Sequence, residues 1–146
     1  MQKDPKSFII NGITFVASIF ILLSGPLLAQ SLVHLLMQIL GILIIIWSVL
    51  AKNANKTKDG HTLPSDYFFV TTGPYEIVRH PIYLGYLFFM MGSVEDTFTF
   101  LRVIAFVILI SMIAVKIVRE EHKMIREVKA YQTYRMKTKA IIPFFL

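Results

Sequence analysis

A chain of 146 residues with 55% hydrophobic residues and a mean hydropathy of +0.65 is too apolar for an ordinary soluble domain, and its length allows one domain. From Ser7 to Ala51 no Asp, Glu, Lys or Arg occurs, which predicts membrane-spanning helices. Cysteine is absent, so disulfides and thiolate chemistry are excluded, although the compartment is not decided.

The uncharged run predicts two helices. As a single helix with a rise of about 1.5 Å per residue, it would be about twice as long as the hydrocarbon core of a bilayer. The chain must therefore fold back, and turn signals at Ser24-Gly25-Pro26 and Gln30-Ser31 predict spans near 8–28 and 31–51. A cleaved signal peptide is the alternative for the first span, but a second span follows at once.

The net charge of +6 is distributed unevenly. Basic residues concentrate at the N-terminus, in the loop 52–79 and in the tail 119–146, whereas Glu95 and Asp96 lie at the far end of the third span. The positive-inside rule then predicts a multi-pass integral membrane protein with both termini and the loop in the cytoplasm. Anionic lipid headgroups account for the basic tail, so no nucleic-acid partner is predicted.

Two further spans and a surface helix complete the predicted architecture. A third span is expected near 80–95, with Pro81 in the first turn, where a missing N–H costs nothing. The fourth is expected near 98–118, and the tail that follows is typical of an amphipathic interfacial helix. The fold class predicted for the single domain 1–146 is therefore all-α and integral to the membrane, with four transmembrane helices and this C-terminal amphipathic helix.

The most informative stretch is residues 73–85, with the sequence GPYEIVRHPIYLG. His80 and Tyr83 are three residues apart and share a helix face. The N-terminus of that helix suits an anionic group, and Arg79 adds a cation beside it. Tyr75 and Tyr83 offer aromatic faces that attract a sulfonium or quaternary ammonium. Interfacial anchoring is the alternative role for these residues, but their concentration favours a binding site.

A second group of charged residues, at the inner end of the fourth span, contains Lys116, Arg119, Glu120 and Glu121. Neighbouring residues on a helix point about 100° apart, so the two glutamates are not expected to face one pocket together. One of them is a candidate ligand contact, and a helix-end ion-pair network is the alternative for both.

Two familiar kinds of site are not predicted. The seven glycines form no G-x-G-x-x-G, so the nucleotide-binding fingerprint of soluble folds is missing. No metal site is predicted, because the histidines are scattered along the chain: His34, His61, His80 and His122.

The motifs together resemble the isoprenylcysteine carboxyl methyltransferase family, which is related to the membrane phospholipid N-methyltransferases. The resemblance rests on Gly-Pro-Tyr, then Arg-His-Pro-Ile-Tyr-Leu-Gly, a Glu-Glu pair one span later, and a Tyr-x-x-Tyr tail (Tyr131, Tyr134) that ends near a proline. It covers residues 60–143. It implies a membrane-bound methyltransferase that uses S-adenosylmethionine and acts on a lipophilic small molecule or lipidated substrate among the membrane lipids.

The resemblance also implies roles for individual residues. The implied cofactor contacts are Phe69, Val70, Tyr75, His80, Pro81, Ile82, Tyr83 and Glu120. The implied substrate contacts are Lys116 and Arg79. His80 and Glu121 are the candidate catalytic residues. An amine acceptor must lose a proton, and His80 is the candidate base, although holding the cofactor is its leading predicted role.

Two departures from the family pattern bear on the substrate. The family usually has Phe-Gly-Glu-Glu before the first tail tyrosine, where this chain has Val128-Lys129-Ala130, and the family's substrate-contacting arginine is Lys116 here. Carboxyl O-methylation of an isoprenylcysteine-like acid is the leading prediction. N-methylation of a phosphatidylethanolamine-type lipid and a non-enzymatic membrane scaffold are the alternatives.

Overall fold

The computed structural model describes residues 5–58 and 70–141, and most of these residues are helical. The helices are α1 (Pro5–Leu23), α2 (Leu32–Lys58), α3 (Pro81–Asp96), α4 (Phe100–Glu127) and α5 (Lys129–Lys137), with a 3-10 turn at Gly73–Glu76. Among the described residues no β-strand occurs, and one isolated bridge joins Val78 to Lys139. The prediction of an all-α protein is confirmed.

Three helices in the described part of the chain are long and apolar enough to cross a membrane: Pro5–Leu23, Leu32–Ala54 and Phe100–Glu127. Many of their large apolar side chains point outward, as with Phe8, which is 78% exposed. Outward apolar side chains are what a lipid environment favours. Helix α3 has 16 residues, fewer than the roughly 20 that usually span a bilayer, so a count of four spans stays a prediction.

Two helix ends differ from the predicted boundaries. Helix α1 ends at Leu23 rather than near residue 28, because the glycine and proline of Ser24-Gly25-Pro26 do not continue a helix. Helix α4 continues past residue 118 to Glu127, so the glutamate pair lies within it. The extended backbone of Val128 (φ −126°, ψ 101°) then separates α4 from α5. The tail predicted as one amphipathic helix is therefore divided at this residue.

The described residues pack as two compact units. The first unit contains the described residues of Met1–Gly41 and Leu87–Lys116, and the second contains the described residues of Ile42–Tyr86 and Ile117–Leu146. The first unit contains the apolar helix α1, and the second contains the Gly-Pro-Tyr and Arg-His-Pro motifs and the glutamate pair.

Polar side chains join the helices of the first unit. Gln38 is fully buried, accepts a hydrogen bond from the Ala29 amide at 2.9 Å and donates one to Ser93 Oγ at 2.8 Å. Arg102, which is 1% exposed, donates from Nη2 to the Ser93 carbonyl oxygen at 2.6 Å, near the C-terminal end of α3. Hydrogen bonds of this kind, together with van der Waals packing, hold helices together where lipid removes the hydrophobic drive to associate.

The acidic end of α3 caps the start of α2 within the same unit. The Asp96 carboxylate accepts backbone hydrogen bonds from Gln30 at 3.0 Å and from Ser31 at 2.8 Å. His34 lies 3.5 Å from Asp96 and 3.8 Å from Glu95. A carboxylate at a helix N-terminus satisfies otherwise unpaired N–H groups and complements the helix dipole.

Candidate active site

The site in the second unit begins at the 3-10 turn that contains Gly-Pro-Tyr. Gly73 has a positive φ of 65°, which side chains other than glycine rarely adopt. A Cβ atom at this position would also lie 3.3 Å from Ala51 Cβ and 3.5 Å from Trp47 Nε1. Glycine therefore lets the turn pack against α2, which leaves the side chain of Tyr75 buried.

The start of α3 is held by the C-terminal end of the chain. Pro81 occupies the first helical position, as predicted. The two preceding amides find their acceptors far away in sequence: Arg79 N donates to the Lys139 carbonyl at 2.8 Å, and His80 N donates to the Ala140 carbonyl at 3.0 Å. These bonds fix the backbone from which the His80 side chain projects.

The side chain of His80, which directly precedes α3, meets one side chain from α3 and one from α4 at this point. Tyr83 Oη donates a hydrogen bond to Glu120 Oε1 at 2.7 Å. Nδ1 of His80 lies 3.6 Å from Glu120 Oε2, and the His80 ring stacks on the Tyr83 ring with centroids 5.8 Å apart. The Glu120 carboxylate is therefore oriented by a phenol and an imidazole, although half of its side chain is exposed.

The second glutamate has a different environment. Glu121 accepts a hydrogen bond from Arg79 Nε at 2.7 Å, and both side chains are less than 10% exposed. Arg135 Nε and His80 Nε2 each approach Glu121 at 3.5 Å. The guanidinium of Arg79 also donates from Nη1 to the main-chain carbonyls of Arg135 and Thr138. Glu121 is thus the counter-ion of a buried arginine.

A cavity of about 480 Å³ opens beside the two motifs, and its volume is typical of small-molecule sites. Its walls combine aromatic rings, one carboxylate and several cations. The lining residues are Lys52, Val70, Tyr75, Arg79, His80, Pro81, Ile82, Tyr83, Glu120, Lys123, Met124, Tyr131 and Tyr134.

Burial keeps the tail phenols of this cavity in their neutral form. It raises the pKa of Tyr131 and that of Tyr134 to about 12 each, and it also raises the pKa of Tyr75. The Glu121 carboxylate adds to the increase in the pKa of Tyr131, because a nearby negative charge disfavours the phenolate. At neutral pH, which is far below even the ordinary tyrosine pKa of 10.0, these side chains present uncharged rings to the cavity.

A sequence model of the phospholipid methyltransferase family matches residues 29–132, which include the Gly-Pro-Tyr turn, the start of α3 and the glutamate pair. The chain belongs to the phospholipid methyltransferase family. No curated protein and no solved structure matches it. Membership makes the protein a membrane methyltransferase that acts on lipid, and methyltransferases of this kind generally use S-adenosylmethionine. The more specific resemblance to the isoprenylcysteine enzymes concerns a related family and stays a prediction.

Most of the predicted site residues of this phospholipid methyltransferase are brought together at the cavity. Those that line it are Val70, Tyr75, Arg79, His80, Pro81, Ile82, Tyr83 and Glu120. Lys116 and Glu121 are not among the lining residues, and Phe69 lies outside the described residues. The roles assigned to all of these residues stay predictions.

The sequence interpretation did not assign a site role to five of the lining residues: Lys52, Lys123, Met124, Tyr131 and Tyr134. A signal for two of them was present, because Lys123 and Met124 follow Glu120 by three and four residues and so share its helix face. The tyrosines contributed to the family resemblance, but their spacing alone gave no reason to place them beside His80.

Proposed function

We propose that the cavity between His80, Glu120 and the tyrosines binds S-adenosylmethionine, and that the enzyme uses it to methylate the amine of an aminophospholipid. The observation that carries this proposal is the Glu120 carboxylate, which is held by Tyr83 at the wall of a cavity of about 480 Å³ and remains half exposed. A carboxylate that is oriented on one side and open on the other is suited to a cationic or hydroxyl-bearing ligand.

The chemistry of the cavity fits this cofactor. The half-exposed carboxylate of Glu120 is a suitable acceptor for an ammonium or for ribose hydroxyls. The rings of Tyr75, Tyr83, Tyr131 and Tyr134 supply aromatic faces that attract a sulfonium cation. His80 also lines the cavity, and its Nδ1 lies 3.6 Å from Glu120, so the imidazole is beside the carboxylate that would hold the ligand.

When bound, the cofactor supplies an electrophilic methyl group. The residues of this chain then have two tasks, which are to orient the acceptor and to remove its proton. An ammonium must lose a proton before its nitrogen attacks, and His80 is the candidate base because its imidazole lines the cavity beside Glu120. Holding both reactants in the correct orientation accounts for much of the rate enhancement in such displacements.

The cations of the cavity support a phospholipid as the acceptor. Lys52 and Lys123 both line the wall, and a phosphodiester is the anion that a phospholipid carries next to its amine. Lysine binds phosphate as a compact point charge. The same cations also favour the second candidate, a carboxylate on an isoprenylcysteine-like acid, which needs no base. The family match favours the phospholipid.

The test is a methyl-transfer assay with labelled S-adenosylmethionine and purified protein. One set of phosphatidylcholine vesicles contains phosphatidylethanolamine, a second contains a farnesylcysteine, and a third contains neither. We expect label in phosphatidylethanolamine as a base-stable N-methyl group. Base-labile methyl ester on the farnesylcysteine would establish the carboxyl reaction instead. Transfer to none of the three would favour a non-enzymatic scaffold.

The matched variant in this assay is His80→Ala. If His80 removes the proton from an amine, the variant loses transfer to phosphatidylethanolamine, and raising the pH restores part of the rate because more of the amine is then deprotonated. A variant rate that equals the wild-type rate at every pH would contradict the role of His80.

A further inference from the structure

The C-terminal end of the described chain completes the site, although it lies beyond the family match. The match ends at residue 132. Beyond it, Tyr134 lines the cavity and its hydroxyl donates to the main-chain carbonyl of Tyr75 at 2.6 Å. The main-chain carbonyls of residues 138–140, which we call the C-terminal clamp, accept hydrogen bonds from the Arg79 side chain and from the backbone amides of Arg79 and His80. The matched segment therefore contains only part of the wall around His80.

Arg79 connects the clamp to α4. Its side chain is 7% exposed, and its Nε donates to Glu121 at 2.7 Å. Nη1 of the same guanidinium donates to the Thr138 carbonyl, and the backbone N–H of Arg79 donates to the Lys139 carbonyl at 2.8 Å. Nε and Nη1 of the guanidinium are therefore committed to groups of the protein itself, although Arg79 also lines the cavity.

We propose that Arg79 is a positioning residue, which joins the C-terminal clamp to Glu121 and thereby holds His80 at the cavity wall, and that it is not a substrate contact. The inference rests on the proposed function, because it names which residues make that cofactor site rigid. His80 follows Arg79 directly, and its own N–H is held by the Ala140 carbonyl at 3.0 Å. Displacement of the clamp therefore moves the imidazole.

Two other roles for Arg79 make different predictions. A substrate contact would bind the phosphate or carboxylate of the lipid, so its loss would raise the KM for the lipid. A purely structural ion pair would contribute to folding alone, so its loss would lower the melting temperature without changing the site of the folded molecules. A positioning residue changes cofactor affinity and kcat while the KM for the lipid stays constant.

The test compares Arg79→Lys with Arg135→Lys in the full chain. Both arginines approach Glu121, but Arg135 is 53% exposed, whereas Arg79 is buried and reaches the clamp. Lysine keeps the charge and loses the fork that binds several acceptors at once. The measurements are calorimetric titration with S-adenosylhomocysteine, kcat and KM in the lipid assay, and hydrogen–deuterium exchange at the amides of Arg79 and His80.

We expect Arg79→Lys to raise the Kd for S-adenosylhomocysteine about tenfold, the size that follows if the displaced His80 loses one hydrogen bond to the ligand. We also expect kcat to fall, the lipid KM to stay within twofold, and the two amides to lose protection. Arg135→Lys should match the wild type. A raised lipid KM with unchanged cofactor affinity would overturn the proposal, and so would a lower melting temperature with unchanged affinity, kcat and protection.

A second variant covers the case in which Arg79→Lys does not fold. Tyr134→Phe keeps the ring at the cavity and removes the hydrogen bond to the Tyr75 carbonyl, so a severalfold increase in the Kd for S-adenosylhomocysteine is expected. Unchanged affinity in this variant would show that the Tyr134 hydroxyl does not contribute to the site. Absence of cofactor binding by the wild type would refute the proposed function instead, and amide exchange at Arg79 and His80 would still decide whether the clamp holds them.

Discussion

Neutralising each of the two adjacent glutamates of α4 is expected to affect different properties: cofactor affinity for the first and stability for the second. Glu120→Gln removes the carboxylate that Tyr83 orients at the cavity. Glu121→Gln removes the counter-ion of Arg79, whose side chain is buried. The two changes are chemically identical and one residue apart, so each is a control for the other.

The expected magnitudes follow from exposure. Glu120 is half exposed, so its neutralisation is expected to change the free energy of unfolding by less than about 0.5 kcal/mol. A lost charge-assisted contact to the cofactor costs about 1.5–3 kcal/mol, which is roughly a tenfold to hundredfold loss of affinity. Removal of one partner of a buried ion pair costs about 3–5 kcal/mol, and we expect the lower end for Glu121→Gln because glutamine keeps an acceptor oxygen.

The assay combines calorimetric titration of S-adenosylhomocysteine with thermal unfolding of each variant in the same detergent. Glu120→Gln should bind weakly and unfold at the wild-type temperature, whereas Glu121→Gln should unfold at a lower temperature. If Glu120→Gln binds as tightly as the wild type, the carboxylate at the cavity is not a cofactor contact. If Glu121→Gln is as stable as the wild type, the reasoning about the buried pair is refuted.

Gly92→Ala should destabilise the protein by about 1–3 kcal/mol, because the new Cβ would lie 2.7 Å from the main-chain carbonyl oxygen of His34. Thermal unfolding measures this, and a melting temperature equal to that of Gly12→Ala, whose Cβ would meet nothing within 4 Å, would contradict it. The raised pKa values of Tyr131 and Tyr134, each about 12, predict a loss of stability in alkali. The unfolded state releases these protons near pH 10.0, whereas the folded state retains them. The buried phenols therefore contribute fully to the free energy of unfolding below that pH, and this contribution is lost as the pH rises towards 12. Unfolding curves between these pH values should show a smaller loss of stability for Tyr134→Phe than for the wild type. Equal losses of stability would contradict the assignment of this pH dependence to Tyr134.

The helical class was predictable because it depends on local properties. An uncharged run twice as long as a bilayer core requires a hairpin of apolar helices, and Pro81 after a polar segment marks a helix start. The end of α4 was not predictable from hydropathy. The apolar run stops near Lys116, but residues such as arginine, glutamate, lysine and methionine favour helix, so the helix continues in polar sequence to Glu127.

The contacts that complete the site could not be predicted from the sequence. The backbone bonds of Arg79 and His80 go to Lys139 and Ala140, about sixty residues away, and main-chain acceptors leave no trace in side-chain patterns. The burial of Arg79 was likewise invisible, because an arginine beside a membrane motif is equally suited to a headgroup, a substrate or an internal carboxylate.

The central claim is that the cavity at His80 binds the methyl donor, and calorimetric titration of S-adenosylhomocysteine into the purified full-length protein in detergent tests it most directly. We predict saturable binding by the wild type and binding at least about tenfold weaker by His80→Ala, with both proteins unfolding at similar temperatures because His80 lies at the wall of a cavity. Absence of binding heat in the wild type, or equal affinities in the two proteins, would contradict the account.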